Sequence, residues 1–173
     1  MKEVFYIPLF LFYNLPNIHQ PPLILVLYDM KDRNLKITDD WKTPKYLYDE
    51  LDKEFHFDFD PCPLCHNLEL WNGLKVEWGN SNFVNPPYSR PLKDLFIRKA
   101  YTEYLKNKLV VMLLPVATST QIFHEIIQPN CEIRFLKGRI KFEGINSFGQ
   151  TVTNKCGMFD NMICIFNPTV PII

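Results

Sequence analysis

Apolar and polar positions alternate along residues 34–173 in a way that sets strands and helices one after another. Leu47, Leu51 and Phe55 recur at every fourth residue, which lays one apolar stripe on a helix that Asp40 or Thr43 can cap, with Pro44 in its first turn. Residues 57–59 read as a short strand ending at Asp60, and Phe83-Val84 as the end of another. Ser89 and Pro91 open a second helix to about Lys106, with Leu92, Phe96, Ala100 and Tyr104 on one face. Residues 110–114 are apolar throughout, as suits a central strand covered on both faces. A third helix spans residues 118–128 and stops at Pro129. Strands follow at residues 133–136, 139–142 and 162–166, the first two joined as a hairpin through Gly138. This order predicts an α/β fold: a mostly parallel sheet with helices on its faces and a terminal antiparallel hairpin. Ligands in such folds bind beyond the carboxyl ends of the strands, where both Asp60 and Asn85 fall.

Residues 1–33 break the pattern. Two strongly apolar runs, 4–13 and 23–28, are interrupted by Pro8, Pro16, Pro21 and Pro22 and separated by Asn14, Asn17, His19 and Gln20. Both are far short of the roughly twenty residues that a membrane span needs. Glu3 and the lack of a small-residue cleavage site argue against a secretory signal. The expectation is an N-terminal extension acting as an added strand, a flap or a surface for a homodimer or partner subunit, followed by one domain over residues 34–173.

Composition changes this picture little, and charge changes it more. An apolar content of 47% in 173 residues is ordinary for one globular domain. The formal net charge is zero, but its distribution is uneven: residues 1–87 hold 8 basic and 13 acidic side chains, residues 88–173 hold 11 and 6. A phosphate-facing surface is therefore expected in the second half. Five cysteines without a signal segment suit a reducing, intracellular compartment, cytoplasm or a eukaryotic nucleus. Cys62-Pro63-Leu64-Cys65-His66 has the form of a haem-attachment run, which demands export, and offers three zinc-type ligands without a fourth at recognisable spacing. No metal is expected, and His19, His56 and His124 show no partner pattern.

The chemistry concentrates in Asn85-Pro86-Pro87-Tyr88, directly after the apolar Phe83-Val84. A planar amino nitrogen shares its lone pair with the adjacent ring and is a poor nucleophile until acceptors draw it toward a tetrahedral shape. The Asn85 side-chain carbonyl and the Pro86 main-chain carbonyl are two such acceptors. Consecutive prolines fix φ and remove competing donors, and Tyr88 offers a ring face for a flat substrate. A Pro-Pro after a strand is also an ordinary rigid turn, so the surrounding segments must decide between the two.

Those segments are Trp41-Lys42-Thr43-Pro44, Phe59-Asp60-Pro61-Cys62, Trp78 ahead of the tetrapeptide and Ser89, residues 110–115, and residues 135–142 with Gly138-Arg139. In this order, from about Asp40 to Pro168, the chain resembles the compact phage-type (Dam-like) DNA adenine methyltransferases. The resemblance implies a Rossmann-like class I fold that uses S-adenosylmethionine to methylate the exocyclic amine of adenine after flipping the base. Little chain is left after the core elements for a separate target-recognition domain, so specificity is expected from loops or a second subunit. It implies Asn85, Pro86, Pro87 and Tyr88 as the catalytic motif. It further implies Trp41, Thr43, Pro44, Asp60, Pro61 and Cys62 at the cofactor, with the Asp60 carboxylate on one of its polar groups. One departure from methyltransferases at large stands out: none of the six glycines forms a Gly-x-Gly, and the turn after the first strand is built from Pro61 and Pro63. Ser89, Arg90, Lys137, Arg139 and Lys141 are the expected DNA contacts, the last three alternating along one strand face while Ile140 and Phe142 turn inward. Arg90, Lys93 and Arg98 form an alternative path for DNA. Related tetrapeptides serve methylation of RNA guanine and protein glutamine, and a catalytically silent DNA-binding subunit is the reading from another class.

Overall fold

The computed structural model describes residues 41–63, 72–145 and 151–170. The N-terminal extension, Asp40, Cys65 and His66 lie outside them.

Strand β1 (Trp41–Lys42) leads into helix α1 (Lys45–Phe55). The residue at the N-cap is Pro44 rather than Thr43, and no side chain caps the helix. The Pro44 carbonyl accepts from the backbone N–H of both Leu47 and Tyr48 at 3.1 Å. Leu47 and Leu51 are buried and Phe55 is half-buried, as the four-residue stripe required. The helix ends at His56 in the left-handed region, φ 51°.

The expected strand at residues 57–59 is reduced to one parallel bridge, Phe59 with Asn82. Side chains displace the ladder here. The Asp58 carboxylate accepts from the N–H of Asn80 and Ser81, and the Phe57 N–H turns back to Asp52.

Strand β2 (Ser81–Val84) runs parallel to β3 (Leu109–Pro115), and α2 (Leu92–Tyr104) connects them. The apolar run of β3 is buried from Val110 to Pro115. Val111 and Leu113 face a core with Leu47, Leu51, Phe83, Ile163 and Ile165, while α2 packs on β3 as well. At the end of α2 the fully buried Glu103 is ringed by the ammonium groups of Lys99, Lys106 and Lys108 at 2.8, 2.8 and 2.9 Å. Burial alone pushes its carboxyl up, but hydrogen bonds from the three lysines outweigh that and hold it at about 2.

The third helix does not stop before Pro129. A π-helical segment, Phe123–Ile127, passes into the short α3 (Gln128–Asn130), so the proline lies inside the last turn. The Gln128 N–H reaches back to the Phe123 carbonyl, five residues earlier. That wider turn gives the pyrrolidine ring room where an α-turn would crowd it against the preceding carbonyls.

The remaining strands correct the topology. Strand β7 (Asn161–Phe166) is antiparallel to β3, and β4 (Glu132–Phe135) is antiparallel to β7, giving the order β2-β3-β7-β4. Among the described residues the sheet is thus mixed rather than mostly parallel. The cause is that β7 follows a tight turn from a second sheet instead of a helical crossover. That second sheet is β1-β5-β6, with β5 (Lys141–Ile145) antiparallel to both β1 and β6 (Thr151–Cys156). The anticipated hairpin between residues 133–136 and 139–142 does not form. Gly138, at φ +79°, is where the chain leaves the first sheet for the second. The C-terminal hairpin pairs β5 with β6. No described helix is long and apolar enough to cross a membrane.

Candidate active site

Asn85 leaves β2 at the carboxyl edge of the sheet, and its side-chain Nδ2 donates to the Trp41 carbonyl at 2.7 Å. A carbonyl can only accept, so the nitrogen of the amide must face Trp41. The Asn85 Oδ1 consequently points the other way, as an acceptor whose orientation is set. Pro86 is buried and Pro87 half-buried, which fixes the backbone immediately after it. The same bond ties the tetrapeptide to the segment holding Trp41 and the buried Thr43 and Pro44.

Tyr88 is anchored at both ends. Its hydroxyl donates to the Leu113 carbonyl at 3.4 Å and accepts from Asn161 Nδ2 at 3.0 Å. Its ring meets Phe142 edge-on, with centroids 6.3 Å apart and planes at 90°. Burial pushes the phenol well above its ordinary range, so the hydroxyl is a neutral tether. Asn161, 1% exposed, also donates to the Leu114 carbonyl at 3.4 Å, and its own Oδ1 is buried without a hydrogen-bond partner.

Phe59, bridged in parallel to Asn82, carries Asp60 to the same edge as Asn85. Asp60 Oδ1 accepts from the Cys62 N–H at 2.7 Å, closing a turn through Pro61. Tyr48 on α1 stands against this group, edge-on to Phe83 at 5.1 Å and 86°. Burial first, and then the carboxylates of Asp52, Asp60 and Asp49, raise its phenol pKa. A β-carbon at Gly73 would overlap the Pro61 carbonyl oxygen, and the Gly73 carbonyl accepts from Trp78 Nε1 at 2.7 Å. A glycine is indeed used for close backbone approach here; it braces the proline turn from behind instead of lying within it.

Of the expected DNA contacts, Lys137, Arg139 and Lys141 are exposed while Ile140 and Phe142 are buried, so the alternation holds although only Lys141 lies in a strand. Arg139 stands 3.9 Å from Asp160 with both side chains largely in solvent. Lys137 and Lys141 enter no ion pair among the described residues. Ser89 accepts from the Lys93 N–H at the start of α2, and Arg90 is exposed, 3.9 Å from Asp94. Lys93 itself is 8% exposed, which removes it from the alternative DNA path. Much of the positive surplus of the second half is engaged internally, by Glu103 and by the fork of Arg134 on Glu54 at 2.6 and 2.7 Å. Among the described residues no three metal-ligating side chains gather, and the Cys62–His66 run ends beyond those residues.

Sequence reasoning missed Tyr48, Gly73, Phe142 as a partner of Tyr88, and above all Asn161. The signal for Asn161 was present: a polar side chain heading a strand that is otherwise wholly apolar.

Comparison with known proteins gives this arrangement a family. Residues 32–172 match the family described as DNA N-6-adenine-methyltransferase (Dam). A DNA N-6-adenine-methyltransferase of Haemophilus phage HP1 is 32% identical over 143 residues, covering 76% of this chain and 80% of the phage protein. Another, of Escherichia phage T1, is 34% identical over 112 residues, covering 58% of this chain and 46% of its own length. No solved structure matches. By the extent of the match, and by the HP1 protein that it largely spans, the chain belongs to the DNA N-6-adenine-methyltransferase (Dam) family.

Proposed function

We propose that the protein transfers a methyl group from S-adenosylmethionine to the exocyclic amine of adenine in DNA, on a Rossmann-like scaffold with the catalytic motif Asn85-Pro86-Pro87-Tyr88. The relatives named for adenine methylation support the reaction, and the observation that carries the site is the bond from Asn85 to the Trp41 carbonyl.

The residues at the strand edge suit the cofactor chemically. Asp60 offers a carboxylate, Thr43 a hydroxyl, Trp41 and Tyr48 aromatic faces, and Pro61-Cys62 a turn closely backed by Gly73. Bound there, S-adenosylmethionine supplies an electrophilic methyl group. Adenine reaches this edge only outside the duplex, so the base is flipped and lies against the Tyr88 ring. The Asn85 Oδ1 and the Pro86 carbonyl accept the two N–H groups of the amine and draw its lone pair out of conjugation. Both acceptors are fixed before substrate arrives, so little reorganisation is left for the transition state. The amine sheds its proton easily once alkylated, and no strong base is asked of the site. Ser89, Arg90, Lys137, Arg139 and Lys141 hold the DNA backbone, with Arg139 able to reach a base edge.

The test is transfer of labelled methyl groups to DNA, RNA and protein side by side. Label is expected in DNA, at the adenine amine. Label in RNA or protein with none in DNA would replace the substrate in this reading, and none anywhere would remove the reaction.

A further inference from the structure

We infer that the turn carrying Met158 and Phe159 is an apolar wedge that enters the DNA duplex where the flipped adenine has left, an inference that rests on the reading of the protein as a DNA adenine methyltransferase. The two residues connect β6 to β7 and are 78% and 49% exposed. Large apolar side chains this open contribute little to folding.

Their placement is what gives them a partner. Pro115 pairs with Asn161, so the head of β7 lies against the carboxyl end of β3, and Asn161 holds the Tyr88 hydroxyl. The turn therefore leaves the fold beside the proposed base pocket. Gly157 packs on the same structure, since a β-carbon there would come within 3.2 Å of the Phe142 ring that meets Tyr88 edge-on. The Gly157 N–H also donates to the Ile140 carbonyl at 2.9 Å, which binds the turn to the segment presenting Lys137, Arg139 and Lys141. The apolar tip suits a stack of bases and the exposed Lys137 and Lys141 suit its phosphates, while Arg139 stands 3.9 Å from Asp160 at the end of the same turn. A wedge in the vacated position keeps the neighbouring pairs from closing and stops the base from returning. Tyr88 would hold the base outside while Met158 and Phe159 hold the gap open.

The experiment uses the full chain and oligonucleotide duplexes containing the site that the wild type methylates on plasmid DNA. In one duplex the target adenine is paired; in the other it faces an abasic position, where flipping costs less. Met158→Ala/Phe159→Ala is expected to lose about tenfold or more in kcat/KM on the paired target, the scale set by unstacking a base step. It should recover to within about twofold of wild type on the abasic-opposed target, because little flipping cost remains. Met158→Leu/Phe159→Leu, which keeps apolar bulk, should retain activity on both. Equal activity of the alanine variant on the paired target overturns the inference. So does an equal loss on both duplexes, which would assign the turn to general DNA affinity or to folding. Loss of wild-type self-association in the alanine variant, with paired-target activity kept, would make the turn a protein interface instead. A wild type that methylates no DNA removes the underlying reading and this inference with it.

Discussion

Replacing Asn161 by alanine should separate stability from function. The substitution deletes one donor that serves Tyr88 Oη at 3.0 Å and the Leu114 carbonyl at 3.4 Å. A net loss of about 0.5–1.5 kcal/mol is the usual consequence of removing such a bond. The same side chain, however, buries an Oδ1 with no partner, and a buried acceptor left unsatisfied costs about 1–3 kcal/mol in the wild type. Removing it returns that penalty, and the Tyr88 hydroxyl keeps its bond to the Leu113 carbonyl. The two effects nearly cancel, so unfolding free energy should change by less than about 1 kcal/mol. Tyr88, by contrast, loses the shorter of the two hydrogen bonds that fix its ring, and KM for DNA should rise several-fold while affinity for S-adenosylmethionine stays unchanged. Tyr88→Phe should act in the same direction, and the double variant should be no worse than the more damaging single one, since both remove the same bond. Urea unfolding and steady-state methylation decide the matter. A loss of more than about 3 kcal/mol of stability with KM unchanged would refute the reasoning and make Asn161 a residue of the core alone.

Other outcomes follow from the site and its surroundings. Asn85→Ala should abolish methyl transfer while calorimetric affinity for S-adenosylmethionine stays near wild type, because in the proposed mechanism the acceptor acts on the amine during the reaction; near-normal turnover would remove it from catalysis. Asp60→Ala should weaken cofactor affinity, and an unchanged binding isotherm would clear that carboxylate of the role. Neutralising Lys137 and Lys141 together should lower DNA affinity for every sequence and reduce the salt dependence by about two units of slope, as read from binding at several salt concentrations. Glu103, held at about 2 against an ordinary 4.5, gives stability that is complete above the higher value and lost as pH falls through the lower. That is worth about 3 kcal/mol, so wild-type unfolding free energy should drop between these limits while that of Glu103→Gln changes less; parallel profiles would show that the lysine ring does not act on the carboxylate.

The sequence made elements legible wherever one face decided them. The stripe of Leu47 and Leu51, the unbroken run of β3 and the alternation of Ile140 and Phe142 with their charged neighbours all appear as read. Pairing between elements was less legible. Nothing local distinguishes a hairpin through Gly138 from a change of sheet at Gly138, because a left-handed glycine suits both. The bridge at Phe59 reads as a strand from periodicity alone, which cannot weigh the competition of side chains such as Asp58 with the ladder. Pro129 reads as a stop only in an α-helix; the π-turn before it changes what a proline obstructs. At the site, chemistry is what singles out the tetrapeptide in the sequence for its proposed role. Its anchors come from distant parts of the chain: Trp41 stands in a motif, but one that says nothing of its main-chain carbonyl, and Asn161 shows only as a polar residue heading an apolar strand.

The two sheets share no described strand pairing, yet the tetrapeptide touches both. Asn85 hangs from β2 and binds Trp41 of β1, while Tyr88 roots its hydroxyl in β3 and β7 and sets its ring against Phe142 of β5. The motif is therefore a rivet between sheets as much as the proposed reactive centre. Small slippage of one sheet on the other would tilt Tyr88 and swing the Asn85 acceptor before any strand or helix melted. If the proposed motif carries the reaction, catalysis is then a gauge of inter-sheet registration, and heat should silence methyl transfer some degrees before it erases the secondary structure.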